Sequence, residues 1–310
     1  MALGTNHVTK TTADKFIPEI WSDEIIAAYK QNLVAANMFS KMSFKGKKGD
    51  TLHIPKPTRG AASVKAASTQ VTLIAATETE IQVLINKHYE YSRLIEDIVE
   101  TQALSSLRKF YTDDAGYALA KQVDTDLIQL GRAVGSGTDY STAAASTNAF
   151  IGSNGTTVYN STSSNAAALA DAGIRRSIQR LDDADVPMTD RCLIVPPTTR
   201  NTLMGLARFT EQAFVGDVGS SNTIRNGMIG DLYGVTAYVS TNADTAAGSS
   251  ATDRICLLAH KDAFVLAEQM GVRSQTQYKQ EYLGTLFTSD MLYGVAELRD
   301  SSAVALAVPA

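Results

Sequence analysis

"KGKKGDTLHIPKPTRGAASVKAASTQVTLIAA", residues 45–76, decides how the rest of the chain is read. It opens on Lys45, Lys47 and Lys48, turns at Gly49-Asp50, and alternates Leu52 and Ile54 with polar neighbours. Pro55 and Pro57 follow, then a run of Ala, Ser and Thr. Val71-Thr72-Leu73 alternates again, and Ile81-Gln82-Val83-Leu84-Ile85 is a third alternating stretch expected to lead into a helix. Period-two alternation marks strands that bury one face. A two-stranded ribbon alone is marginal in water, so this one needs a surface to rest on.

The arm is also a charge anomaly. Between positions 45 and 65 six side chains are basic (Lys45, Lys47, Lys48, Lys56, Arg59 and Lys65), and only Asp50 is acidic. The whole chain of 310 residues carries a net charge of −4. That balance excludes nucleic-acid binding through the bulk field of the protein. A basic arm on an acidic body suits self-association by charge complementarity; a solvated basic loop is the plainer alternative. At 44% hydrophobic and 19% charged, the chain has enough apolar mass for one large domain or two.

Outward from the arm, the order of elements is mixed. Residues 1–20 read as a polar extended arm, and Ile25, Ile26, Tyr29, Leu33 and Val34 recur at helical spacing within Trp21–Phe44. After the ribbon, apolar residues return every three or four positions from Leu94 to Leu130, which predicts a helix over 92–131 capped by Ser92 and ending at Gly131. Such a helix would be roughly 50–55 Å long, a strut for a domain of this size. Residues 135–168 are rich in Gly, Ser, Thr and Asn and read as a surface loop or small hairpin. A second helix is expected over 168–185, a buried strand at "RCLIV", and a short helix at "TTRNTLMGL" capped by Thr198 or Thr199. Residues 209–230 form a Gly-rich loop, and "IGDLYGVTAYVS" a strand entered through a turn. The last sixty residues read as strands: "RICLLA", "AFVLAEQ", "VRSQTQYKQEY", "GTLFTS", "LYGVAELR" and "AVALAV". Segregated helices and strands argue for an α+β fold.

Little here assembles a reaction. The histidines at 7, 53, 88 and 260 form no metal-binding pair, and Asp182, Asp183 and Asp185 end a helix without a Gly-centred calcium loop. "GSG" at 135–137 precedes no Gly-Lys-Ser/Thr, and no nucleophile signature is present. Cys192 and Cys256 sit in apolar runs and read as small core residues, as do the dispersed methionines 188, 204, 228, 270 and 291. No cofactor, metal or catalytic residue is expected. The opening residues carry no signal-peptide pattern, and no apolar run nears the ~20 residues of a membrane span.

With catalysis thin, the element order carries the argument. Polar arm, short helix, basic β-ribbon, long helix, central α/β portion and β-rich end together resemble the major capsid protein of tailed bacteriophages, with the Hong Kong 97-type fold. "FIPEIWSDEIIAAYKQNLVAANMFS" at 16–40 is similar to the entry segment of such proteins, and "KGKKGDTLHIPKP" at 45–57 to the start of their extended loop. "LDDADVPMTDRCLIVPPTTRNTLMG" at 181–205 and "GMIGDLYGVTAYVS" at 227–240 resemble the axial domain. "YGVAELRDSSAVAL" at 293–306 resembles the closing strands of the peripheral domain.

The resemblance implies a division of the chain: arm and short helix 1–45, extended β-loop 46–90, spine helix of the peripheral domain 91–135, mainly axial domain 136–255, and the β-rich remainder of the peripheral domain 256–310. It implies a non-enzymatic shell of hexamers and pentamers around packaged DNA, made in a bacterial host's cytoplasm. The extended loop would lie over a neighbouring subunit, with Lys56, Arg59 and Lys65 setting register, and Gly216, Gly219 and Arg225 would act around the capsomer axes. Implied partners are other copies of the chain, a portal protein, non-specific contact with DNA, and in some members a decoration protein. A separate scaffolding protein is expected, because no long helical segment precedes the arm. Lys56 or Lys65 is the candidate for covalent crosslinking where members use it, although no motif marks the asparagine. An encapsulin compartment shares the fold and is the alternative; a mixed α/β enzyme or solute-binding protein is a distant one.

Overall fold

The computed structural model describes residues 35–57, 60–71, 73–74, 78–96, 106–135, 138–141, 145–163, 165–206, 231–247 and 252–310. One turn of helix, α1 (Ala35–Met38), leads into β1 (Ser40–Ser43), and then come β2 (Thr51–Lys56), β3 (Thr79–Leu84) and β4 (Lys87–Glu96). The long helix α2 (Ser106–Gln129) follows, then the hairpin β5 (Ala145–Ile151) and β6 (Val158–Asn160), α3 (Asp171–Asp183), β7 (Arg191–Val195) and α4 (Pro197–Met204). The remaining strands are β8 (Asp231–Leu232), β9 (Val235–Val239), β10 (Thr245–Ala247), β11 (Thr252–His260), β12 (Phe264–Lys279), β13 (Gly284–Glu297) and β14 (Ala303–Val308).

Three sheets result. The four-stranded sheet has the order β1-β12-β13-β4; the eight-stranded sheet runs β6-β5-β14-β11-β7-β9-β8, with β10 also on β11; β2 and β3 form a ribbon of their own. The central strands β7, β11 and β14 of the larger sheet carry unbroken apolar runs because both faces are covered there. In β7, Cys192 and Ile194 face the core under α2, whereas Leu193 and Val195 face α3 and α4. In β11, Leu257 and Ala259 take the first side, and Cys256 and Leu258 the second. Period two thus survives, but it sorts apolar residues between two cores rather than between core and water.

The helix α2 is held by polar ties as well as packing. Leu119, Ala120, Val123 and Leu127 join the core that also takes Phe264, Leu266 and Met291. Asp124, buried, accepts from the Ala35 amide at 2.7 Å and from Asn242 Nδ2 at 3.1 Å. Asp126, also buried, meets Lys87 Nζ at 3.0 Å and accepts from the Tyr293 hydroxyl at 2.6 Å. Tyr91 of β4 donates to Asp114 at 2.7 Å, and burial, then that carboxylate, push its phenol up to about 12. Together these bonds clamp α2 to the four-stranded sheet and to the turn after β9.

Several expectations are corrected. The apolar positions from Ser92 to Glu96 are strand, paired in register with Gly284–Thr288, so Ser92 caps nothing and Ile81–Ile85 leads into another strand. The helix begins at Ser106 among the described residues, and its 24 residues span ~36 Å. The turn Leu130–Arg132 that follows is 3-10, with Gly131 packed against Leu257, where a Cβ would crowd the leucine at 2.9 Å. Leu94 and Ile95 misled because adjacent apolar residues suit either period.

Residues 40–43 are strand rather than helix, and the helical spacing over 21–34 lies outside the described residues. The helix α4 starts at Pro197 after an extended Pro196, so neither Thr198 nor Thr199 is its cap; Pro at the first position needs no amide partner. The small hairpin that was one reading of 135–168 is present as β5 and β6, but it is joined to the larger sheet, since β5 pairs in parallel with β14. The 255/256 boundary falls inside β11, and β11 and β14 belong to the sheet of the central segment while β12 and β13 form the other sheet. Met291 is core, whereas Met188 and Met204 are exposed.

Candidate subunit interface

The ribbon divides into a docked root and an undocked tip. Its register sets Leu52 opposite Val83 and Ile54 opposite Ile81, which places these apolar side chains on one face. Val83 is fully buried, with Leu52, Ile54 and Met42 packed around it against Val265, Ala267, Ala296 and Leu298 of the same chain. Backbone bonds fix the entry: Phe44 N–H donates to Glu268 O at 2.7 Å, and Ile85 N–H to Asp50 O at 2.8 Å. Gln269 Nε2 donates to Lys47 O and Gly49 O at 3.0 and 2.8 Å, and Lys45 pairs with Glu268 at 3.3 Å. The expectation that the ribbon has no support at home is therefore corrected for its root.

Beyond Lys56 the support ends. Every described residue from Pro57 to Glu78 is exposed. Val64 and Leu73 stand almost wholly in solvent, Leu73 at 89%, with Val71 and Ile74 at 61% each. The two limbs run together, for Gly60 lies against Ile74, where a Cβ would stand 2.9 Å from its Cδ1. Four large apolar side chains are thus exposed within eleven residues, a denser apolar cluster than scattered surface residues make. Isolated exposed leucines need no explanation, but a cluster on a projecting arm does.

Charge surrounds this apolar tip. Lys56 ends β2 and Lys65 lies between Val64 and Val71, both exposed and without an ion-pair partner among the described residues. Arg59 and the loop with Gly216, Gly219 and Arg225 lie outside the described residues. At the junction of root and tip, an open groove of about 500 Å³ is lined by His53, Pro55, Lys56, Pro57, Glu78, Thr79 and Glu80. Gln82, then His53 at 3.0 Å, hold the Glu80 carboxyl below its ordinary value.

Sequence reasoning named the basic residues of the arm and missed its apolar ones. Val71 and Leu73 were expected in a strand ladder, yet they have no strand partner among the described residues. Their alternation was the available signal, and in the structure both side chains stand exposed. Burial pushes both the Cys192 and Cys256 thiols up to about 12. No group of three His, Cys, Asp or Glu among the described residues is placed to hold a metal ion, and no described helix is long and apolar enough to cross a membrane.

No curated protein sequence matches the chain. Among solved structures, the Cyanophage Pam1 capsid asymmetric unit is similar over 100% of this chain and 96% of that one, with a TM-score of 0.68 at 15% identity. The capsid structure of Cyanophage P-SCSP1u matches over 87% and 86%, with a TM-score of 0.66 at 19% identity. Mycobacterium phage Che8 matches over 99% and 96%, with a TM-score of 0.63 at 20% identity. The α+β architecture is thus the Hong Kong 97-like capsid fold. The sequence pattern of the family described as phage capsid protein matches residues 36–306; the chain belongs to that family, and its role is structural, not enzymatic.

Proposed function

We propose that the chain is the subunit of an icosahedral phage shell, built from hexamers and pentamers, that encloses packaged DNA. The observation that carries this reading is the ribbon: a root fixed on its own sheet and an apolar, basic tip exposed from Pro57 to Glu78. A second copy of the chain is the occupant that suits the tip, since a basic arm and an acidic body complement each other in one molecule. Each contact is small, and ring closure multiplies them. The division into extended loop, spine helix, axial and peripheral parts is proposed for the ribbon, α2, the eight-stranded and the four-stranded sheet. Assembly in a bacterial host's cytoplasm on a separate scaffolding protein, with a portal at one vertex, completes the proposal.

The test replaces Leu73 and Ile74 together with Asp. Both side chains are exposed, so the subunit should unfold within about ±0.5 kcal/mol of the parent. Electron microscopy of the variant co-expressed with scaffold should show no closed shells. Shells at parental yield would refute the proposed contact.

A further inference from the structure

The turn between α3 and β7 is acidic and stiff. From Asp182 to Asp190, "DDADVPMTD" carries four aspartates and no basic residue. All four are exposed, and Met188 projects among them at 74%. Arg191, the next residue, is buried under the turn and organises it. Its Nε donates to Pro187 O at 2.8 Å, and its Nη2 donates to Val186 O at 2.6 Å and pairs with Asp182 at 2.7 Å. Asp185 and Asp190 both take a left-handed φ of 56°, which aspartate tolerates better than most residues. Arg191 thus neutralises Asp182 and leaves Asp183, Asp185 and Asp190 without an ion-pair partner among the described residues.

Upstream on the same helix the opposite charge is left over. Arg175 is matched by Asp171 at 3.0 Å, but Arg176 and Arg180 have no ion-pair partner among the described residues. These two straddle Gly155 in the β5–β6 turn. The Arg176 stem lies where a Cβ on Gly155 would meet it at 3.1 Å, and Arg180 Nε donates to Gly155 O at 3.0 Å. Arg176 Nη1 donates to Gln179 Oε1 at 2.6 Å, while its Nε is sealed from solvent and has no hydrogen-bond partner. The Arg180 guanidinium lies over Phe150, 3.7 Å from the ring centroid. Like charges four residues apart on a helix repel. Burial first, then Arg176, lower the Arg180 guanidinium from its ordinary value, and Asp183 opposes them least.

We propose that the acidic turn of one copy of the chain seats on the Arg176–Arg180 pair of a second copy. The inference rests on the reading of the chain as a shell subunit and adds a contact separate from the ribbon. Charge selects the occupant: the two patches are opposite in sign, and each is what remains once the internal ion pairs are formed. Within one chain, Phe150 and Gly155 hold Arg180, and no ion pair to Asp183 forms. Both patches are set in place beforehand, so docking orders few side chains. Guanidinium and carboxylate groups suit each other in two-pronged geometry. Pro187 and Met188, exposed in the same turn, add apolar cover to the contact.

Charge reversal with rescue tests it, on the full chain co-expressed with scaffold and viewed by electron microscopy. Arg176→Glu with Arg180→Glu should cut the yield of closed shells on the order of tenfold. Asp183→Lys with Asp185→Asn should do the same, asparagine being chosen at 185 because it accepts the left-handed backbone. All four changes together should restore most of the yield, since opposite signs face each other again. Either pair of changes at parental yield, or a folded four-change protein no better than the pairs, would overturn the contact. If the glutamate pair does not fold in urea titration, Arg176→Gln with Arg180→Gln keeps an amide for Gly155 O, and parental yield at low salt would overturn it as well. A parent that builds no shells would remove the shell reading and this contact with it; parental shells beside unrescued variants would remove the contact alone.

Discussion

Gly294, near the end of β13, lies so close to the carbonyl oxygen of Leu84 that a Cβ there would collide with it. This is where the ribbon root presses on the four-stranded sheet, for Gly294 pairs with Ala267 and Val83 packs beside it. Gly294→Ala should therefore push the root off the sheet and cost about 1–3 kcal/mol. Urea unfolding measures the loss, and an unchanged midpoint would mean that the root yields without strain.

Charge on the tip should govern the rate of association more than its strength. Lys56→Glu with Lys65→Glu should slow shell formation about tenfold at low salt. The deficit should shrink as ionic strength approaches 1 M, where screening acts within about 3 Å. Light scattering during assembly follows both effects; a deficit that ignores salt would point to lost packing instead.

Arg132, just after α2, donates through Nε and Nη2 to Asp244, both at 2.7 Å, and Tyr140 OH adds a third bond at 2.9 Å. Asp244 is buried, so Arg132→Met leaves a carboxylate with one neutral donor. The expected cost is about 3 kcal/mol in denaturant unfolding. Replacing both residues, Arg132→Met with Asp244→Leu, should recover more than half of it, because no buried charge is then left unpaired.

Acid should weaken the smaller sheet at a definite place. Burial raises the Asp290 carboxyl, but hydrogen bonds from Arg273 at 3.0 and 2.7 Å, and from His88 at 3.2 Å, bring it below its ordinary 3.8. A depressed folded value stabilises above the unfolded one and is lost as pH falls through the folded one. The parent should therefore lose stability as pH drops below about 3.8. Asp290→Asn should be weaker by about 1–3 kcal/mol at pH 7, with a shallower acid limb in thermal melts.

Both thiols should be silent in the native protein. Cys192 and Cys256 are buried and their thiols are held near 12, so an aromatic disulfide reagent at pH 8 should label neither within the native lifetime. Addition of denaturant should release two equivalents per chain. Prompt labelling without denaturant would show that the two cores open.

Residue patterns reported local structure well where one physical demand acted alone. "RCLIV" could only be a covered strand, and Leu52 and Ile54 could only be one face of a ribbon, because apolar side chains at those spacings have a single dry side to share. Leu94 and Ile95 failed as evidence because neighbouring apolar residues fit a helix and a strand equally, and pairing with Leu286 and Thr285 settles which.

By itself the sequence determined the α+β class, the basic ribbon and the absence of any recognisable catalytic motif, since composition, periodicity and local charge are properties of short stretches. Only the tertiary structure decided which sheet each C-terminal strand joins, how Asp124, Asp126 and Asp244 are satisfied, and where the ribbon stops being supported. Those outcomes depend on partners such as Lys47 and Gln269, 222 positions apart. No spacing along the chain encodes such a distance; it exists only once the strands have met.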